Sequence, residues 1–283
     1  MSKANTSPFT KSVVIAIVLL YAIGGVILFI QVGPWEAVRN VVINGLIVAA
    51  WLWSAAKVLR GDPAPGVKPV RYPLAELAWT LVTLLVVVGL AVNGYAGWLP
   101  IPSWTLSTVA IAAVLILFIG LRYPIHTLGI AWPSKRGWLA LLVAILINFA
   151  AAALFQVLPR DILETGSPGD LAAQITGPVS VIVLLVGLLF RAALPEELLL
   201  RVTLQPRLAR FLPLGWAILI QALLFSLGHL PQRLIGYQEP LTLALGYLLT
   251  VDNGLIAGYL WYRTRSLPLL LILHLFAFPR LGI

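Results

Sequence analysis

The sequence predicts an all-α, polytopic transmembrane bundle of about eight to nine spans. Three observations predict it. Of 283 residues, 60% are apolar and only 10% are charged, against about a quarter charged in soluble proteins. Apolar runs long enough to cross a hydrocarbon core, about 20 residues as a helix, recur along the whole chain. The charges gather between the runs, with 19 Lys+Arg against 10 Asp+Glu, as the positive-inside rule expects of membrane proteins. This composition excludes an ordinary soluble domain, a disordered chain and a coiled coil. The absence of cysteine excludes disulfides, thiolate metal sites and cysteine nucleophiles. A net charge of +9 in a soluble protein would suggest nucleic acid; here no nucleic-acid partner is expected, and the bilayer is.

Candidate spans lie near 12–31, 41–59, 76–98, 103–121, 138–158, 178–200, 213–230, 241–262 and 266–280. The first is long for a signal-peptide core and no A-x-A site follows it, so it reads as a retained anchor. The last is short and contains Pro268 and Pro279. With the N-terminus in the cytoplasm, Lys3, Lys11, Lys57, Arg60, Lys68, Arg71, Arg122, Lys135, Arg136, Arg207, Arg210, Arg263 and Arg265 fall inside. Only Arg39, Arg160, Arg233 and Arg280 fall outside. The expected location is therefore the cell's inner (plasma) membrane, N-terminus cytoplasmic. Trp98, Trp104 and Trp132 sit at span ends, as interfacial anchors do. A polar stretch at 159–177 divides the chain into a half of five spans and a half of four; accessory helices are expected at 1–134 and the core at 135–283. No internal repeat supports a transporter built from duplicated halves.

Ionisable groups inside a bilayer cost roughly 2.5–3.5 kcal/mol each on insertion scales, so they default to a functional hypothesis. The second half concentrates them: Arg191, Glu196, Glu197 and Arg201 in the sixth span, His229 in the seventh beside the polar Gln221, Asp252 in the eighth beside the polar Asn253, and His274 in the ninth. Helical spacing puts Glu197 and Arg201 on one face and turns Glu196 about 100° away. Gln221, Phe225 and His229 form one stripe. At roughly 1.5 Å per residue, Glu196 and His229 both lie on the order of 20–25 Å from the turn between their spans. Two carboxylates and two imidazoles can thus converge in a cavity, which the sequence expects to open toward the cytoplasm. A glutamate there can activate water as a general base, and a histidine can orient that water or stabilise an oxyanion. Alternatively, two His and a Glu can hold zinc in a metalloendopeptidase-like arrangement. The structural alternative for Glu196, Glu197 and Arg201 is an ion pair that fixes helix packing. Asp252 and Asn253 fit a packing pair or a cavity wall equally well. Gly254 and Gly258, a G-x-x-x-G, predict a close helix contact.

These residues resemble the CAAX-prenyl-endopeptidase and bacteriocin-processing (abortive-infection) family of intramembrane proteases. Its E-E-x-x-x-R motif is matched by Glu196, Glu197 and Arg201, its F-x-x-x-H by Phe225 and His229, and its late histidine by His274 after YLWYRTRSLPLLLILH. The resemblance covers roughly residues 135–280. It implies a glutamate endopeptidase with a conical intramembrane cavity, acting on a membrane-embedded peptide or lipidated protein. Glu196 would activate water with His229, Glu197 and Arg201 would support, and His274 would help bind the oxyanion. Phe225 would wall the site, with Gln221 and Asn253 also lining the cavity. No cofactor is required by this reading, with zinc the possible exception. Phe278 stands where the family often has Asn, Asp or Ser. Losing one oxyanion donor can cost about 10²–10³ in rate, so a silent relative acting as a scaffold in a membrane-protein complex is the alternative, ahead of a proton-coupled transporter.

Overall fold

The computed structural model describes residues 8–60, 70–100, 102, 104–157, 178–249 and 251–277. Phe278 lies outside them. Among the described residues every regular element is helical, and the protein is an all-α membrane bundle. The helices are α1, Lys11–Val32; α2, Val38–Val58; α3, Pro73–Ala96; α4, Thr105–Gly120; and α5, Lys135–Val157. Then come α6, 178–208; α7, Leu214–Gly228; α8, Leu241–Leu248; α9, Asp252–Thr264; and α10, Leu267–Ala277. They fall where the sequence puts its candidate spans. By length and composition, Lys11–Val32, Val38–Val58, Pro73–Ala96, Leu214–Gly236 and Leu241–Thr264 can each cross a membrane, while Thr105–Gly120 and Leu267–Phe276 are apolar but shorter.

The helices on the rim turn apolar side chains outward. On α1, Ile15, Val18, Leu19, Ile23, Val26 and Ile30 are exposed, as expected when lipid is the solvent. α9 lies at the centre, with Leu255, Ala257 and Leu260 wholly buried. It approaches α7 closely: a Cβ on Gly254 would come 2.5 Å from Ala222 Cα, so only glycine permits this contact. The G-x-x-x-G is thus a packing motif. Asp252 resolves the same way, because the Tyr21 hydroxyl on α1 donates to its Oδ1. α1 packs along α8, α2 against α5 and α9, and α4 against α6.

α6 carries two internal prolines, and its geometry follows from them. Pro195 and Pro206 have no N–H, so the carbonyls four residues back lose their helical partner. Within lipid a free carbonyl is costly. Each is claimed by a side chain: Ser107 Oγ on α4 donates to the Arg191 carbonyl at 2.8 Å, and Arg207 Nη1 donates to the Val202 carbonyl at 3.2 Å. Wide π-type turns occupy Leu189–Ala193 and Glu197–Leu204, next to the prolines, as helices do where the regular ladder is broken. Ser107→Ala is expected to destabilise the protein by about 1 kcal/mol. Pro195→Ala, which restores the N–H, should remove most of that cost. Thermal unfolding of the two single variants and the double variant checks it, and equal costs in both backgrounds would reject the pairing.

Arg207 does more than fill the gap. Charge bias assigns it to a cytoplasmic loop, but it is buried at 3% exposure. Its Nη2 and Nε donate to Glu76 Oε2 on α3 at 2.7 and 3.0 Å. The other oxygen, Glu76 Oε1, accepts from the Tyr123 hydroxyl at 2.7 Å and from the backbone N–H of Arg71 and Tyr72. Arg263 and Arg265 are likewise buried rather than solvated. Arg207 and Arg263 donate to backbone carbonyls, and Arg265 rests against the Trp261 ring.

Candidate active site

Three helices bring the predicted residues together. α6 supplies Glu196, Glu197 and Arg201 from its proline-loosened middle. α7 supplies Phe225 and ends at Gly228, one residue before His229. α10 supplies His274, two turns after a start fixed by Ser266, whose Oγ accepts from the Leu269 N–H at 3.4 Å and donates to the Ala131 carbonyl at 2.8 Å.

His274 is the meeting point. Its Nδ1 lies 3.2 Å from Glu197 Oε1 and its Nε2 lies 3.7 Å from Glu196 Oε2. One imidazole thus faces both carboxylates of the E-E pair. The 100° rotation that should turn Glu196 away instead lets the two acids flank the ring from either side. Glu197 is fully buried and also faces Arg201 Nε through Oε2 at 3.4 Å. The Arg201 guanidinium lies over the Phe225 ring, 4.4 Å from its centroid, a contact strengthened by desolvation. Glu197 is therefore held between a cation and an imidazole, whereas the Glu196 side chain keeps 28% exposure.

His229 sits where α7 breaks. Its backbone N–H bonds the Ser226 carbonyl at 3.0 Å, so the Phe225 carbonyl lacks its usual partner four residues on. The His229 ring takes that carbonyl through Nδ1 at 3.0 Å. A carbonyl only accepts, so Nδ1 carries the hydrogen and Nε2 is the nitrogen left for chemistry. The Phe225 and His229 rings meet edge to face, with centroids 5.0 Å apart. Phe225 thus touches both the guanidinium and the imidazole.

The remaining candidates lie farther off. Gln221 is fully buried one turn before Phe225, against α9, where a Cβ on Gly258 would come 2.8 Å from its Oε1. Asn253 is buried and makes no hydrogen bond to the cluster among the described residues. Phe278, as noted, is not among them. Arg191 is exposed on α6 and borders a groove of about 300 Å³ with Trp104, Ser107 and Phe190, apart from the cluster. The sequence misses Tyr95 and Tyr237. Tyr95, on α3, is an electrostatic neighbour of both Glu196 and Tyr237, and Gln232 Nε2 donates to the Tyr237 hydroxyl at 2.9 Å. A tyrosine at the end of an apolar span reads as an interfacial anchor, so nothing in the pattern marks it.

Burial is unequal around the cluster. Arg201, Gln205 and Gln221, on the Arg207 side of the cluster, are at most 1% exposed. Glu196 and the half-exposed Tyr95 face the other way.

The donors expected for zinc do not converge. Nδ1 of His229 is committed to a carbonyl and both nitrogens of His274 face carboxylates. Among the described residues no group of three or more His, Asp or Glu side chains is arranged to hold a metal ion.

Residues 178–277 match the family described as Rce1-like, type II CAAX prenyl endopeptidase. This segment carries all of Glu196, Glu197, Arg201, Phe225, His229 and His274. No curated protein and no solved structure matches the chain.

Proposed function

We propose that this chain, which belongs through residues 178–277 to the Rce1-like family of type II CAAX prenyl endopeptidases, hydrolyses peptide bonds of small membrane-embedded or lipidated substrates with a glutamate-activated water. The observation that carries the reading is the unequal treatment of two adjacent acids around His274. Glu197 is pinned by Arg201 and His274; Glu196 reaches the same imidazole and remains accessible.

In this mechanism Glu196 takes the proton of the attacking water. His229, fixed by the Phe225 carbonyl, accepts a hydrogen bond from the same water through Nε2, and Glu196 returns the proton to the leaving amine as the peptide bond breaks. His274 stands between the two acids and orients Glu196. Glu197 and Arg201 position His274 without touching substrate. Residues 135–283 hold this machinery and residues 1–134 brace it. The N-terminus is cytoplasmic, in the cell's inner membrane, and the protein acts alone or within a membrane-protein complex.

The test is cleavage by the full-length protein in liposomes. Peptides ending in C-a-a-X, prenylated and unprenylated, are offered together with an apolar helical peptide, and products are read by mass spectrometry. Cleavage that disappears in His229→Ala is the expected result. No cleavage of any of the three by the folded wild-type protein would reject a peptidase.

A further inference from the structure

The basic end of the bundle holds a cluster of cations that the proposed reaction does not use. Arg207, Arg263 and Arg265 are buried there, at 3%, 8% and 6% exposure. Two of them have partners. Arg207 is paired with Glu76, and Arg263 donates to the Leu59 carbonyl. Arg265 is different. It makes no ion pair and no side-chain hydrogen bond with the described residues, and its Nε is buried without an acceptor. Its guanidinium rests against Trp261, 5.4 Å from the ring centroid.

Burial lowers the Arg265 pKa to about 10. That still leaves the guanidinium charged at neutral pH. A guanidinium whose Nε is buried without an acceptor among the described residues is unfavourable unless a counter-charge approaches it, so the position favours an anion. Arg265 and Arg207 line one small cavity, together with Val70, Phe118, Tyr123, Thr127, Val202, Pro206 and Trp261. Glu76 cancels the charge of Arg207, and the cavity keeps the single positive charge of Arg265. Its volume of about 20 Å³ exceeds the 10–15 Å³ that admits one water-sized group. Exposed Arg71 and Arg122 stand beside it, with Arg71 Nη2 donating to the Arg122 carbonyl at 3.5 Å and its guanidinium 5.5 Å from the Tyr123 ring.

We propose that this cavity binds a phosphate group, with Arg265 supplying the buried charge and Arg71 and Arg122 holding the rest of the ligand at the rim. One phosphate oxygen fits inside, so the remainder lies outside. Two sources share this chemistry: the head group of an anionic membrane lipid, which basic pockets between helices bind at the cytoplasmic face, and free inorganic phosphate.

The site bears on the reaction centre through the backbone. Arg265 adopts a left-handed conformation, φ 48°, at the turn between α9 and α10. The Leu267 N–H after it donates to the Gly129 carbonyl at 2.8 Å. Gly129 itself has φ 76°, and a Cβ there would come 2.5 Å from the Trp261 ring and 2.7 Å from the Arg265 carbonyl. An anion on Arg265 steadies this turn, from which α10 carries His274 to the two glutamates.

The experiment follows the melting midpoint of the full-length protein. In neutral detergent, inorganic phosphate is titrated against chloride at matched ionic strength. In parallel, nanodiscs of phosphatidylcholine are compared with nanodiscs containing phosphatidylglycerol. A rise of about 5 °C at saturation, lost in Arg265→Gln, is the expected result. A rise with the anionic lipid alone identifies the head group; an equal rise with inorganic phosphate identifies the free anion. Thr127→Phe, which fills the cavity and leaves the charge in place, should also lose the rise, so the test stands if Arg265→Gln does not fold. No shift of the wild-type protein with either phosphate source, an equal shift with chloride, or a shift retained in a folded Arg265→Gln overturns the proposal.

Discussion

Glu196→Gln is expected to lower the cleavage rate by about 10²–10⁴, the range that a general base contributes, while leaving the melting midpoint near that of the wild type. The reason is exposure. Glu196 carries 28% of its side-chain surface open, and no cation within the cluster depends on it alone. Glu197→Gln should behave differently. Glu197 is wholly buried between Arg201 and His274, so removing its charge leaves a guanidinium uncompensated in a buried site. That variant should lose both rate and stability. Rates and unfolding midpoints measured on the same reconstituted samples separate the two roles. A Glu196→Gln protein that cleaves at the wild-type rate would end the assignment of Glu196 as base, and an unchanged midpoint in Glu197→Gln would end that of Glu197 as the buried partner.

The largest loss of stability should come from a residue far from the reaction. Glu76→Ala is expected to cost about 3–5 kcal/mol, as removal of one partner from a buried pair does. Glu76 ties together Arg207 on α6, Tyr123 beyond α4 and the start of its own helix. Without it the Arg207 charge is buried alone, and the donors that converged on Glu76 lose their acceptor. Replacing both partners, Glu76→Leu with Arg207→Met, should recover much of the loss. It should not recover all of it, because the Val202 carbonyl beside Pro206 then lacks the donor that Arg207 supplies. Reversible unfolding in mixed micelles gives the three values. A Glu76→Ala protein as stable as the wild type would mean that the network is screened by lipid head groups and contributes little.

The bundle was legible because burying apolar side chains in lipid needs no fine geometry. Long runs and the charges between them are enough. The site was legible to the extent that spacing in sequence is spacing on a helix: Glu197 with Arg201, Phe225 with His229. Glu196 shows where this stops. A regular helix turns it away from its neighbour, and the sequence offered no means of seeing that His274, on another helix, would stand between the two acids. Glu76 and Arg207 were hidden for a different reason. Each lies at a span boundary, where a charge reads as solvated, and only the packed structure reveals that they are 2.7 Å apart. Arg265 is the same kind of residue without its Glu76.

The two prolines of α6 have a consequence for how the protein is made. A helix with gaps in its own backbone ladder is a poor candidate to leave the translocon early and wait in lipid. The Arg191 carbonyl is answered by Ser107, on a helix synthesised before it, and Arg207, which answers Val202, is itself held by Glu76 on a still earlier one. The order of synthesis therefore matches the order of need: when α6 emerges, the donor and the anchor that complete it are already in the bilayer.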